Sequence, residues 1–191
     1  MLQVRAVSFL ERHARGRTIL AALAASVLFG VLPLSYAVVR LAAHSPAAAP
    51  LDMSAGYTPD QAYAMIARYG EDGRAFYVLN AFTADLVGPL LFNLTLALLG
   101  LWLLAGIAGP GSRWRSWLVL LPSAALGFDL IENGLLAVIV SRFPARLDGV
   151  VQVASLCTQL KRTAAMGSWA VTAVLLVLWA VSAAKRRYFV R

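Results

Sequence analysis

The chain has 191 residues, of which 60% are apolar and only 14% are charged, and its mean hydropathy is +0.73. Soluble domains carry about 25% charged residues, so this composition indicates an integral membrane protein rather than a soluble domain. The formal net charge is +8. The Lys and Arg residues lie at the ends of the apolar runs, which favours contacts with membrane lipids over a nucleic-acid partner. The single cysteine, Cys157, excludes an internal disulfide.

Four apolar runs are long enough to cross a bilayer, which takes about 20 helical residues. The predicted fold is therefore all-α, a four-transmembrane-helix bundle in a single domain over residues 1–191. The predicted spans are 18–40, 75–106, 116–141 and a fourth that ends at 184 and starts at either 149 or 163. A basic amphipathic segment, Met1 to Arg17, precedes the first span and is expected to lie along the inner membrane surface.

The first span also resembles a signal peptide, because basic residues precede it and Ala47-Ala48-Ala49 follows it. Its apolar run of about 22 residues exceeds the roughly 7–15 of a signal sequence, which favours a retained helix. Ten Lys and Arg residues fall on the side of both termini and seven on the opposite side. The positive-inside rule then predicts that both termini are cytoplasmic and that the loop from Leu41 to Arg74 lies outside.

A short helix is predicted within that long loop, over residues 59–69. Thr58-Pro59-Asp60-Gln61 has the pattern of a capping box, and an apolar stripe follows it. The stripe has two interpretations, a structural helix resting on the membrane or a lid over the outer mouth of the bundle.

The third span carries the most informative residues. Asp129, Glu132 and Asn133 stand at positions i, i+3 and i+4, so they share one face of a helix. A charge at bilayer depth costs roughly 2.5–3.5 kcal/mol, so these acids need a partner or a wet cavity. We expect this face to be the centre of a polar site inside the bundle.

The second span adds Arg74, Tyr77 and Asp85 at helical spacing, and Pro89 removes the backbone hydrogen bond to the carbonyl of Asp85. Arg74 has two interpretations, an ion pair with an acid beside it at Glu71 or Asp72, or a reach towards Asp85.

Asp85 on the second span and Asp129 on the third are expected at similar depths in the membrane. Asp85, Asp129 and Glu132 are therefore predicted to converge in one interior cavity. Lys161 either extends to the headgroups or acts as counter-ion to Glu132 or Asp129. Tyr36, one turn before Arg40, is either an interface anchor or faces the cavity.

The predicted ligand-binding set comprises Asp85, Asp129, Glu132, Asn133, Lys161, Arg74, Tyr77 and Tyr36. The first three of these are the candidates for acid–base catalysis. No metal site or cofactor is predicted, because His13 and His44 both lie outside the spans.

These residues resemble a known pattern. Gly70-Glu71-Asp72-Gly73-Arg74 with Tyr77, Asp85 and Pro89, then Asp129-Leu130-Ile131-Glu132-Asn133, and then Thr158-Gln159-Leu160-Lys161 are similar to a bacterial family of uncharacterised four-helix membrane proteins. The likeness covers roughly residues 57–165. It implies a bacterial cytoplasmic membrane location and no particular activity. The architecture also resembles the EXPERA group, which includes sterol isomerases and sterol-binding receptors with acids around a lipid-accessible cavity.

Three classes of function fit these observations. The favoured class is a protein that binds or moves a lipid-like or cationic small ligand in an acidic cavity. The alternative is an intramembrane enzyme of isomerase or hydrolase type, acting on a lipid or isoprenoid with one protonated acid and one ionised acid. The third is a structural or assembly protein whose acids hold helices together, although three acids exceed what that role needs.

Overall fold

The computed structural model describes residues 2–43 and 49–189, and the regular elements in those ranges are all helical, as the sequence predicts. His44 and most of the Ala47-Ala48-Ala49 motif lie outside the described residues. Four helical stretches are long and apolar enough to cross a membrane. In chain order the helices are α1 (Leu2–His13), α2 (Gly16–Ser26), a π-helical turn (Val27–Val31), α3 (Leu32–Ala42), a 3₁₀ turn (Leu51–Met53), α4 (Pro59–Arg68), α5 (Gly70–Ala81), α6 (Ala84–Ala108), α7 (Arg115–Ser141) and α8 (Asp148–Phe189).

Helices α6, α7 and α8 form the centre of the bundle, with the most extensive packing between α7 and α8. Helix α2, the π-helical turn and α3 follow one another without a break and pack mainly along α6. This first long helix buries little of its surface inside the protein. Its outward side chains, among them Leu28 and Leu32, are apolar, as a face in contact with lipid requires.

Helix α1 is held to the loop between α6 and α7 by one acid, Glu11. Its two carboxylate oxygens accept hydrogen bonds from the Gly111 N–H at 2.8 Å and from Arg115 Nη1 at 2.7 Å. The Gly111 hydrogen bond, which outweighs burial, and then Arg115 lower the pKa of Glu11. Arg186 near the end of α8 donates to the Gly106 carbonyl at 2.9 Å. The start of the chain, the α6–α7 loop and the end of α8 therefore lie at one end of the bundle, called here the terminal end.

The opposite end is covered by residues 49–69, called here the cap. The predicted capping box is present, since the Gln61 N–H donates to Thr58 Oγ1 and the Thr58 N–H donates to Gln61 Oε1. The apolar stripe of α4 is buried against protein, with Ile66 and Tyr69 fully enclosed. Of the two interpretations of this helix, its packing fits a cover over the bundle and not a helix resting on lipid.

Tyr63 ties α4 to the α7–α8 connection. Its hydroxyl accepts from the Leu147 N–H at 2.6 Å and donates to the Ala145 carbonyl at 3.2 Å. Arg146 forms exposed ion pairs with Asp60 and Asp148 at 2.6 and 3.0 Å. Exposed pairs of this kind contribute little to stability, so the buried stripe is the main attachment of the cap.

The second span differs from its prediction as one helix over 75–106. It begins at Gly70 and is interrupted at Phe82 and Thr83, between α5 and α6. The Thr83 hydroxyl donates to the Leu79 carbonyl at 2.8 Å, and such side-chain bonds compete with helix continuation. Helix α6 continues through Pro89, although Pro89 is the residue that removes a backbone hydrogen bond from this span.

Helix α8 is one continuous helix of 42 residues that begins at Asp148, which matches the earlier of its two predicted starts. At 1.5 Å per residue it is about 63 Å long. A bilayer with its headgroups is about 40–45 Å thick, so α8 reaches beyond the membrane and carries the surface on which the cap packs.

Candidate functional site

The centre of the site is an ion cluster between α7 and α8. Lys161 Nζ lies 3.0 Å from Asp129 Oδ1 and 2.5 Å from Glu132 Oε2. The approach to Glu132 Oε2 is an ion contact without hydrogen-bond geometry. Asp129 and Glu132 are buried, and the Lys161 side chain is 15% exposed. Of the two interpretations of Lys161, its position is that of a counter-ion to both acids.

The other oxygen of Glu132 contacts the cap side of the bundle. Thr158 Oγ1 on α8 donates to Glu132 Oε1 at 2.5 Å and lies 3.4 Å from the hydroxyl of Tyr57. The Tyr57 N–H donates to Ser155 Oγ at 2.9 Å, which fixes this residue of the cap against α8. Burial raises the pKa of Tyr57, so its hydroxyl keeps its proton at neutral pH.

Asp85 enters the site from the first turn of α6. Its Oδ2 accepts from Asn80 Nδ2 at 2.6 Å, across the break between α5 and α6. Its backbone carbonyl, which Pro89 deprives of a helical partner, accepts from Asn133 Nδ2 at 3.2 Å. The same Asn133 amide lies 3.5 Å from Asp129 Oδ2. Asn133 therefore joins Asp85 to Asp129.

Asp85 and Asp129 line a cavity of about 310 Å³ between the first long helix and α6. A third acid at its wall is Asp52. The rest of the wall is largely apolar and is formed by residues such as Val31, Leu34, Pro89 and Phe92. Glu132 does not line this cavity, so the prediction that three acids share one cavity is corrected. Glu132 is fully buried, and Lys161 joins it to Asp129.

Asp52 is the residue that sequence reasoning missed. It lies in the loop from Leu41 to Arg74, which the sequence places outside the bundle, but the 3₁₀ turn Leu51–Met53 brings it to the cavity wall. Leu51 is 4% exposed and anchors that turn in the core. Tyr77 donates a hydrogen bond from its hydroxyl to Asp52 Oδ1 at 3.3 Å and stacks on Tyr69. The apolar neighbours of Asp52 were the only available signal that the loop turns inward.

Two residues of the predicted set lie away from the cluster. The guanidinium of Arg74 lies 4.7 Å from the centre of the Phe143 ring, an arrangement that neither of its predicted interpretations included. The break at Phe82 and Thr83 removes the helical register that would have aligned Arg74 with Asp85. Tyr36 is 60% exposed and contacts the edge of Phe76. Its position fits an anchor at the bundle surface rather than a cavity residue.

The cluster contains more acids than bases. Among the described residues around it, four carboxyl groups face one Lys ammonium, so full ionisation would leave a formal excess of three negative charges. Like charges close together at low dielectric do not all ionise without a partner. Either some of these carboxyl groups hold protons or a cation occupies the cavity.

No group of three His, Cys, Asp or Glu side chains in the described part of the chain is arranged to hold a metal ion. No family model, no curated protein and no solved structure matches the chain. A functional assignment therefore depends on the chemistry of the cavity itself.

Proposed function

We propose that this integral membrane protein binds an amphiphilic cation, an organic ammonium group with an apolar body, in the cavity between the first long helix and α6. The observation that carries the proposal is the division of the cavity wall. Asp52, Asp85 and Asp129 lie on one part of it, and the remainder is largely apolar. A ligand with a charged head and an apolar body is complementary to such a wall.

The charge balance supports a cation rather than a neutral lipid. Lys161 is engaged by Asp129 and Glu132, and it does not line the cavity. Asp52 and Asp85 have neutral hydrogen-bond donors, Tyr77 and Asn80, that leave their charge uncompensated. An ammonium group beside these two acids would supply the missing charge at low dielectric, where an ion pair is strongest.

The size and position of the cavity support a small ligand that arrives through the membrane. About 310 Å³ is at the lower end of the range for small-molecule sites, roughly 300–1,000 Å³. The cavity lies against the first long helix, which is the least buried of the four membrane-spanning stretches. Release of the ligand on either side of the membrane would make the protein a carrier, the second form of the favoured class.

The experiment measures binding of octyltrimethylammonium to the purified protein in maltoside micelles by isothermal titration calorimetry. We expect saturable binding that Asp85→Asn weakens at least tenfold, equivalent to about 1.4 kcal/mol. Asp72→Asn is the matched control, because Asp72 is an exposed acid on α5 and its substitution changes the net charge equally. Nonanol tests the role of charge, since it offers an apolar chain without a cation.

Two outcomes would contradict the proposal. One is equal affinity for octyltrimethylammonium and nonanol, which would indicate an unselective apolar pocket. The other is an equal loss of affinity in Asp85→Asn and Asp72→Asn, which would indicate a long-range charge effect. Mass spectrometry of the recovered ligand checks the enzymatic alternative, because an isomerase or hydrolase acting on a co-purified lipid would alter that lipid with time.

A further inference from the structure

A second cavity lies at the cap, on the other side of the 3₁₀ turn that carries Asp52. It has a volume of about 490 Å³ and is called here the vestibule. Its wall includes Leu51 and Met53 of that turn, Tyr57, and residues of α4 such as Gln61 and Arg68. The 3₁₀ turn thus contributes Asp52 to the inner cavity and its two neighbours to the vestibule, and it separates the two spaces.

A continuous series of polar side chains joins the two cavities around this turn. It begins at Tyr57 in the wall of the vestibule and continues through Thr158, Glu132 and Lys161 to Asp129 in the wall of the inner cavity. The successive contacts are 3.4 Å, 2.5 Å, 2.5 Å and 3.0 Å. Three of these contacts are hydrogen bonds, of which the one between Thr158 and Tyr57 is long. The fourth, between Lys161 Nζ and Glu132 Oε2, is a close ion contact, and rotation of the ammonium group would align one of its N–H bonds with that oxygen.

We propose that these five side chains form a proton relay that exchanges protons between the vestibule and the acidic cavity. The inference rests on the proposed function in one respect, since the bound cation is the species for which the proton is exchanged. In the outward direction Lys161 passes a proton to Glu132 and regains one from Asp129. The proton arrives at Glu132 Oε2, and the carboxyl group then rotates to present it to Thr158 Oγ1. Thr158 accepts that proton and passes its own hydroxyl proton to Tyr57. In total, Asp129 loses one proton and Tyr57 releases one proton to the vestibule. Lys161, Glu132 and Thr158 end with the same number of protons as at the start.

The surroundings of the chain explain why side chains would be needed for this transfer. Tyr57 belongs to an apolar cluster that also contains Leu136, Ile139 and Ala154, which are fully buried. Such a cluster excludes water, so protons do not cross it through solvent. Thr158 has one hydroxyl proton and three oxygen neighbours, Glu132 Oε1, Tyr57 Oη and the Ala154 carbonyl. Its hydroxyl can therefore turn between partners.

Other titratable groups also surround the relay and will take part in its charge balance. Asp52 faces it from the 3₁₀ turn, Tyr77 from α5, Asp85 from α6 and Cys157 from α8. None of them interrupts the series of contacts from Tyr57 to Asp129. They set how many protons the cavity holds, whereas the relay sets how fast protons arrive.

The test is a rapid pH jump from alkaline to acidic solution, followed by infrared absorption of the protonated carboxyl C=O. Asp129→Asn identifies the band of Asp129. We expect Thr158→Val, which keeps the side-chain shape but removes the hydroxyl, to slow the uptake of protons at Asp129 at least tenfold. The final amplitude should stay within a factor of two, because an interrupted relay changes the rate and not the equilibrium. Tyr57→Phe should likewise slow the rise of the Asp129 band.

Thr172→Val is the matched control, because Thr172 is a buried threonine on α8 whose hydroxyl donates to the Ser168 carbonyl. The proposal is overturned by uptake in Thr158→Val and Tyr57→Phe within twofold of the wild-type rate. It is also overturned by equal slowing in Thr172→Val, or by the absence of any carboxyl band at Asp129 that responds to pH. The experiment contains no ligand, so failure of octyltrimethylammonium binding with normal relay kinetics would count only against the proposed function.

Discussion

Lys161 is the residue whose removal should reveal most about the site. Its ammonium lies between the carboxyl groups of Asp129 and Glu132, both of which are buried. Lys161→Ala would leave two acids without their cation, so we expect the free energy of unfolding to fall by about 3–5 kcal/mol. Denaturant unfolding in mixed micelles measures this loss. Lys185→Ala is the control, since Lys185 is exposed on the same helix.

A double substitution separates the ion pair from the rest of the side chain. Adding Glu132→Gln to Lys161→Ala removes one of the two unpaired charges, so the double variant should recover part of the lost stability, while Asp129 remains unpaired. The single and double variants together form a thermodynamic cycle with a coupling energy. Losses that simply add would show that Lys161 and Glu132 are energetically independent.

At the residue scale the sequence predicted those side chains whose positions follow from helical spacing. Asp129, Glu132 and Asn133 share a face because of the pitch of α7, and a counter-ion to these acids was one of the two interpretations of Lys161. Asp52 escaped prediction because a 3₁₀ turn in a long loop has no periodicity that fixes its direction. Arg74 was misplaced for a related reason, since its alignment with Asp85 assumed an uninterrupted helix.

At the element scale, Gly30 in the π-helical turn and Gly88 in α6 bring two helix backbones close together. A Cβ atom on Gly88 would lie 3.0 Å from the Cα atom of Gly30, so the two backbones would have to separate. We expect Gly88→Ala to be less stable than Gly100→Ala by about 1–3 kcal/mol. Gly100 is a suitable reference on the same helix, because the nearest atom to its added Cβ is 3.9 Å away. Unfolding in mixed micelles compares the two variants, and equal stabilities would show that the contact is not restrictive.

The attachment of α1 should depend on pH through Glu11. Its pKa is lowered in the folded protein, first by the Gly111 N–H and then by Arg115. A carboxyl group with a lowered folded pKa stabilises the attached state above its ordinary pKa of 4.5, and this contribution is lost as the pH falls through the lowered value. We expect hydrogen exchange of α1 amides, corrected for intrinsic rates, to accelerate in that acidic range.

Glu11→Gln provides the control for this second element-scale prediction. It removes the titrating group, so protection of the α1 amides should be lower at neutral pH and should no longer change in the acidic range. A pH dependence that persists in Glu11→Gln would assign the effect to another group.

The bounds of a helix could be predicted where residues near its ends determine them. The capping box set the start of α4 at Pro59, and the earlier of the two predicted starts of the fourth span gave a long α8. The break at Phe82 and Thr83 lies in an apolar stretch without Gly or Pro at the break itself. The break coincides with the hydrogen bond from the Thr83 hydroxyl to the Leu79 carbonyl, a local competition that hydrophobic spacing along the chain does not reveal.

At the scale of the whole molecule, the orientation in the membrane remains a prediction with a direct test. In a Cys157→Ala background, single cysteines at Ser54 in the cap and Ser112 in the α6–α7 loop should react differently with a reagent confined to the outside of intact cells. Because ten bases on the terminal side favour cytoplasmic termini, we expect labelling at Ser54 and protection at Ser112. The reverse pattern would invert the orientation.

The length of α8 also gives the molecule a mechanical property. Lys161 divides this helix into 13 residues towards the cap and 28 residues towards the terminal end, which are arms of about 20 Å and 42 Å. If α8 tilts as a rigid rod about the ion cluster, its terminal end moves about twice as far as its cap end. A ligand that shifts the cap by a small amount would therefore produce a larger movement at the opposite membrane surface, which spin labels at the two ends of α8 would measure as unequal displacements.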